Sequence, residues 1–139
     1  MNPRLAEQVW HRAGGQCEYC GIPFPYYRPP FQIDHIVARQ HGGSNDPGNL
    51  ALSCLHCNRH KGPNIAGRDP ATGEIQRLFH PRKDSWREHF QLKGEIIVGL
   101  TAIGRVTVQV LAMNEPEFLA AREALLKEGV YTTQSLGAR

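Results

Sequence analysis

The sequence predicts an α+β fold in which two short strands and a helix are organised around two Cys-x-x-Cys pairs. Three observations predict it. All four cysteines of the 139-residue chain fall in the pairs Cys17/Cys20 and Cys54/Cys57. Between the pairs, the β-branched run Ile33-Asp34-His35-Ile36-Val37 reads as a strand. Cap signals place helices outside that interval: Asn2-Pro3 before it, and Thr101 and Pro116 behind it.

A chain of this length fits one domain, 1–139, with a small core that a metal staple would support. Within it, 12–66 is expected to form the functional core and 67–139 a scaffold that also contacts a partner. The net charge of +3 is compatible with a polyanionic partner without requiring one. The basic residues are grouped, however: Arg59, His60, Lys61 and Arg68 follow the second cysteine pair. No apolar run is long enough to span a bilayer, so no membrane association is expected. The N-terminus lacks the apolar region of a secretory signal. A cytoplasmic location follows as the expectation, with reduced thiols available as ligands.

In chain order, Asn2 caps a helix, Pro3 fits its first position, and Gly14-Gly15 ends it. Gln16 to Gly21 forms the first cysteine knuckle. The stretch from Pro23 to Pro30 is a loop, since its prolines exclude helix and central strand. Its tyrosines are expected to pack beneath the loop rather than stack on bases. Phe31 to Ala38 and Asn49 to Ser53 are read as two strands of a hairpin, joined by a polar loop containing Gly42-Gly43. A short helix is expected from Asn58 to about Ile65 or Ala66. Asp69 to Gly73 is a turn, Ile75 to Phe79 a strand, and Asp84 to His89 a short helix whose Trp86 packs in the core. Lys93-Gly94 joins a second hairpin. Two helices, Ala102–Met113 and Pro116–Glu128, complete the scaffold, and the tail after Tyr131 is expected to fray.

Two Cys-x-x-Cys knuckles can bring four thiolates to a tetrahedral point, the geometry that Zn²⁺ accepts. The alternatives are unrelated thiols or a disulfide pair. The interval from Cys20 to Cys54 exceeds that of a short zinc ribbon, so a hairpin is inserted between the knuckles. On that hairpin Asp34 and His35 are strand neighbours and point to opposite faces. Different tasks suit them better than joint ligation: a carboxylate oxygen for a hard cation, and an imidazole to take a proton from water.

The order Cys17-Glu18-Tyr19-Cys20, Ile33-Asp34-His35-Ile36-Val37, His41-Gly42-Gly43, Asn49-Leu50 and Cys54-Leu55-His56-Cys57-Asn58-Arg59-His60-Lys61-Gly62 resembles the HNH endonuclease family. The likeness covers about residues 12 to 63. A weaker likeness to small bacterial HNH proteins extends through Leu78–Phe90 and Gly104–Val108. The resemblance implies a ββα-metal fold and metal-dependent hydrolysis of DNA phosphodiesters, by nicking or double-strand cleavage. It implies His35 as general base, and Asp34 and Asn58 as ligands of a catalytic cation. It implies Asn49 as the residue that steadies the imidazole or its loop. Cys17, Cys20, Cys54 and Cys57 would hold a separate structural zinc.

Asp plus Asn is an oxygen donor set that suits Mg²⁺ or Mn²⁺. Arg59 and Lys61 are expected to contact phosphates in a salt-sensitive, sequence-blind way. This chain departs from relatives that have histidine at the position of Asn58 or proline at that of Ala38. His60 should point away from Asn58, and His41 and His56 are read as exposed or phosphate-contacting. The alternative function is a non-catalytic zinc module that binds nucleic acid or a protein partner.

Overall fold

The computed structural model describes residues 1–136. Helix α1 (Pro3–Ala13) starts as its caps require: Asn2 Oδ1 accepts from the Arg4 amide at 2.8 Å, and Gly14 closes the helix with φ 63°. Its Arg12 reaches forward to donate to the carbonyls of Pro47 and Leu50.

Strands β1 (Gln32–His35) and β2 (Leu50–Ser53) pair antiparallel, with Asp34 opposite Ala51 and His35 opposite Leu50. Both are shorter than the sequence suggested, and β2 is buried along its whole length. Helix α2 (Leu55–Lys61) begins three residues before the expected Asn58, because the second knuckle is itself the helix start. Cys54 caps it, its Sγ accepting from the Cys57 amide at 3.4 Å. The helix stops at Gly62, well before Ile65.

The chain then forms a strand that the sequence did not suggest. β3 (Ala66–Arg68) pairs with β4 (Ile75–Arg77) across the Asp69–Gly73 turn. Asp69 is buried in that turn. Bonds from Arg105, then from the Ala71 amide and the Thr72 hydroxyl, hold its carboxyl well below the usual range. Helix α3 (Trp86–His89), the hairpin of β5 (Phe90–Lys93) and β6 (Ile96–Gly99), and helices α4 (Ala102–Val110) and α5 (Pro116–Lys127) follow. Helix α4 lies against β6 and the β3–β4 pair. Gly104 lets α4 come close to the end of α3, since a Cβ there would come within 2.0 Å of the His89 carbonyl. The architecture is thus α+β, with three separate two-stranded ladders and five helices among the described residues.

The C-terminal half grips the first knuckle residue by residue. Arg82 pairs with Glu18, Trp86 donates its indole N–H to the Tyr19 carbonyl at 2.8 Å, and the Tyr131 hydroxyl donates to the Cys20 carbonyl. Trp86 is buried as expected. The expected fraying after Tyr131 is corrected for residues 131–136; residues 137–139 lie outside the described part. Tyr131 and Leu136 are buried. Gln16 donates to the Thr132 carbonyl and accepts from the Ser135 hydroxyl. Isolated apolar residues in a polar tail carry no periodicity, so only the surface they dock on shows their role.

Candidate active site and metal centre

The two knuckles converge. Cys17, Cys20, Cys54 and Cys57 are each fully buried, and their sulfurs all lie within 4.8 Å of one another. None is in a disulfide. The first knuckle closes with the Gly21 amide on the Cys17 carbonyl at 2.8 Å, and the second is the first turn of α2. Burial raises the Cys54 and Cys57 thiols. At Cys17 burial also raises the thiol, but bonds from the other three cysteines outweigh it and hold Cys17 low. Four soft donors around one buried point are positioned to form a zinc site. An ion there would replace the thiol protons.

Beside this cluster lies an open cleft of about 230 Å³ lined by Ile33, Asp34, His35, Ala38, Arg39, Asn58, Gly62 and Pro63. Strand alternation does separate Asp34, which is buried, from half-buried His35. Both nevertheless border the cleft, because β1 ends at His35. The structure therefore brings Asp34, His35 and Asn58 together around one space.

The three are held by Asn45, Gln32 and Tyr19, to which sequence reasoning assigned no role, and by Lys61, which was expected on phosphates instead. His35 Nε2 lies 2.7 Å from Asn45 Oδ1. A carbonyl oxygen only accepts, so with the amide so oriented Nε2 carries the proton and Nδ1 keeps the lone pair that can take one. Asn58 Nδ2 donates to Gln32 Oε1 at 2.6 Å, which leaves its carbonyl oxygen as the atom for a cation. Asp34 Oδ2 accepts from the Tyr19 hydroxyl at 2.6 Å and lies 3.1 Å from Lys61 Nζ. Burial is the largest influence on the Asp34 carboxyl and leaves it raised, although Lys61 and Tyr19 act against it. The Tyr19 phenol is pushed well up, by burial first and then by the Asp34 charge.

Asn49 sits behind the imidazole and does not touch it. Its Oδ1 accepts from the Val37 amide at 2.8 Å, while Nδ2 donates to the Val37 and Ser44 carbonyls at 3.0 and 2.8 Å. It thereby ties the end of β1 to the loop that presents Asn45. Gly43 belongs to the same arrangement: a Cβ there would lie 1.7 Å from the Val37 oxygen and 2.9 Å from Asn49 Nδ2.

Two expectations are corrected. Lys61 is not a surface cation for phosphates. It is 1 % exposed, and its ammonium is bound to Asp34 and to the carbonyls of His35 and Ile36, at 3.2 and 3.0 Å for the two carbonyls. Its neighbour Arg59 is exposed. Arg39, also exposed, adds a positive side chain at the cleft itself. His56 is likewise not a surface residue; it is half-buried and stacks on Phe118 with ring centroids 3.9 Å apart. Of the loop tyrosines, Tyr27 packs edge-on against Phe118 while Tyr26 stays exposed.

Residues 17–64 match the family model described as HNH endonuclease. No curated protein and no solved structure matches the chain. No helix among the described residues is long and apolar enough to cross a membrane.

Proposed function

We propose, from the match of residues 17–64 to the HNH endonuclease family model, that this protein hydrolyses DNA phosphodiester bonds in the cleft between β1 and α2. The observation that carries the proposal is the convergence of Asp34, His35 and Asn58 on one open space, with the imidazole held by Asn45. His35 Nδ1 accepts a proton from the attacking water, and Asn45 fixes the ring so that the lone pair is on that nitrogen.

The Asn58 carbonyl oxygen and the Asp34 carboxylate are hard oxygen donors of the kind that hold Mg²⁺ or Mn²⁺. Such a cation, when bound, neutralises the charge that builds on the phosphate and the leaving oxygen. Arg39 and Arg59 hold the flanking phosphates by charge alone, which makes binding salt-sensitive and blind to sequence. Asn49 keeps the loop of Asn45 against the end of β1. Zinc at Cys17, Cys20, Cys54 and Cys57 would take no part in the chemistry and would fix the two knuckles between which the hairpin is inserted.

A specific observation also favours a second reading, a zinc module that binds nucleic acid without cutting it. Lys61 already compensates the Asp34 charge, and a cation on Asp34 has to share that carboxylate. Incubation of zinc-loaded protein with supercoiled plasmid and Mg²⁺ or Mn²⁺ separates the two. Nicked or linear product that EDTA abolishes supports the nuclease. Salt-dependent retardation of DNA without cleavage under either cation supports the module.

A further inference from the structure

Helix α2 carries a second constellation on the side turned away from the cleft. His56 and His60 are four residues apart, hence on one face, while Asn58 projects from the other side. Glu115, at the start of α5, faces the two imidazoles. His56 Nδ1 lies 3.9 Å and His60 Nε2 3.6 Å from Glu115 Oε2, and the candidate donor atoms of all three residues fall within 4.8 Å of one another.

The hydrogen bonds at the far ends of the two rings show which nitrogens carry a proton there. His56 Nε2 lies 2.8 Å from the Ala112 carbonyl, and His60 Nδ1 lies 2.8 Å from the His56 carbonyl. Carbonyls accept only, so both of these nitrogens are protonated. In the neutral form the remaining nitrogens, His56 Nδ1 and His60 Nε2, are acceptors, and both are turned to the Glu115 carboxylate. A metal-bound histidine has this same pattern, with its second nitrogen donating to a backbone carbonyl.

We propose that His56, His60 and Glu115 bind one transition-metal ion of borderline softness, with Zn²⁺ as the test ion, at a site separate from both the four cysteines and the cleft. Two imidazoles and one carboxylate suit such an ion better than Mg²⁺ or Ca²⁺. Tetrahedral ligation at zinc distances places donor atoms about 3.3 Å apart, so the two distances to Glu115 close by roughly half an ångström or less. Glu115 can supply the movement because its side chain is 43 % exposed. The His56 ring is fixed between His60 and Phe118, with centroids at 4.2 and 3.9 Å. The shallow position leaves a fourth coordination place open to water. A bound ion ties α2, which carries Cys57 and Asn58, to the start of α5.

The test uses untagged, full-length protein already holding zinc at the four cysteines, titrated with Zn²⁺ by calorimetry and assayed for metal content. The wild type takes up a second equivalent. H60A takes up only the first, and E115Q binds the second at least about tenfold more weakly, since loss of even an outer-shell partner costs on that order. Retention of the first equivalent shows that each variant is folded, and the exposed Glu115 keeps the test decisive if H60A misfolds. A single equivalent in the wild type, or unchanged uptake of the second by a folded variant, overturns the proposal. The readout does not depend on nuclease activity.

Discussion

The four-cysteine centre and the cleft lie side by side on the same hairpin and helix, yet they are built in opposite ways. The cysteines are fully buried and are placed by backbone knuckles that the sequence spacing already contains. The cleft is open, and its working groups are aimed by side chains from scattered positions: Asn45 on His35, Gln32 on Asn58, and Tyr19 with Lys61 on Asp34. One centre makes the fold and the other uses it. Damage to the first should therefore appear as loss of structure, and damage to the second as loss of chemistry at nearly constant stability.

The largest effect is expected at the cysteines. Cys57→Ser removes a buried ligand, and structural zinc contributes on the order of 10 kcal/mol to folding in small metal-dependent domains. Circular dichroism and metal analysis of the variant should show loss of both zinc and the cooperative transition. A folded, zinc-free variant would break the division between the centres.

Lys61 sharpens that division, because it stands at the cleft but belongs with the fold. Lys61→Met leaves Asp34 buried without its charge partner, a change that costs about 3–5 kcal/mol in comparable pairs. Denaturant melts measure this directly. A surface phosphate contact would instead show unchanged stability and weaker DNA binding.

Gly43→Ala tests the loop behind the imidazole. The added methyl collides with the Val37 carbonyl and crowds Asn49, so the loop must shift. A loss of about 1–3 kcal/mol is expected, together with a larger proportional loss of cleavage than the melt explains.

The smallest effect on stability is expected at Asn45, which is exposed. Asn45→Ala should stay within about 0.5 kcal/mol of the wild type. It frees the His35 ring, and cleavage should drop roughly 10–100-fold, as when other orienting partners are lost. Thermal melts with plasmid-nicking rates on the same preparation check both halves. Unchanged nicking would remove Asn45 from the site.

The same contrast explains what the sequence disclosed. The spacing of Cys17, Cys20, Cys54 and Cys57 is a covalent property of the chain, so the metal centre was legible. So were the caps Asn2 and Thr101, which act within three residues of themselves. The opposed faces of Asp34 and His35 followed from strand alternation. Lys61 misled because, beside Arg59 and His60, it reads as part of a solvated basic face. Its actual partner is 27 residues away, and only the packing of α2 on β1 brings them together. Asn45 and Gln32 looked like ordinary polar loop and strand residues, because an orienting hydrogen bond leaves no local pattern. The strand at Ile75 was read from the sequence, but its partner β3 went unseen for a related reason: it has three residues, too few for alternation to register.

The central claim is that the cleft is a hydrolytic centre with His35 as its base. The most direct measurement compares plasmid cleavage by the wild type and His35→Ala at saturating Mg²⁺ or Mn²⁺, with zinc content and DNA affinity shown to be equal. Loss of a general base is expected to slow cleavage by about 10²–10⁴-fold while the zinc, the fold and DNA binding persist. Equal rates for the two proteins would contradict the account.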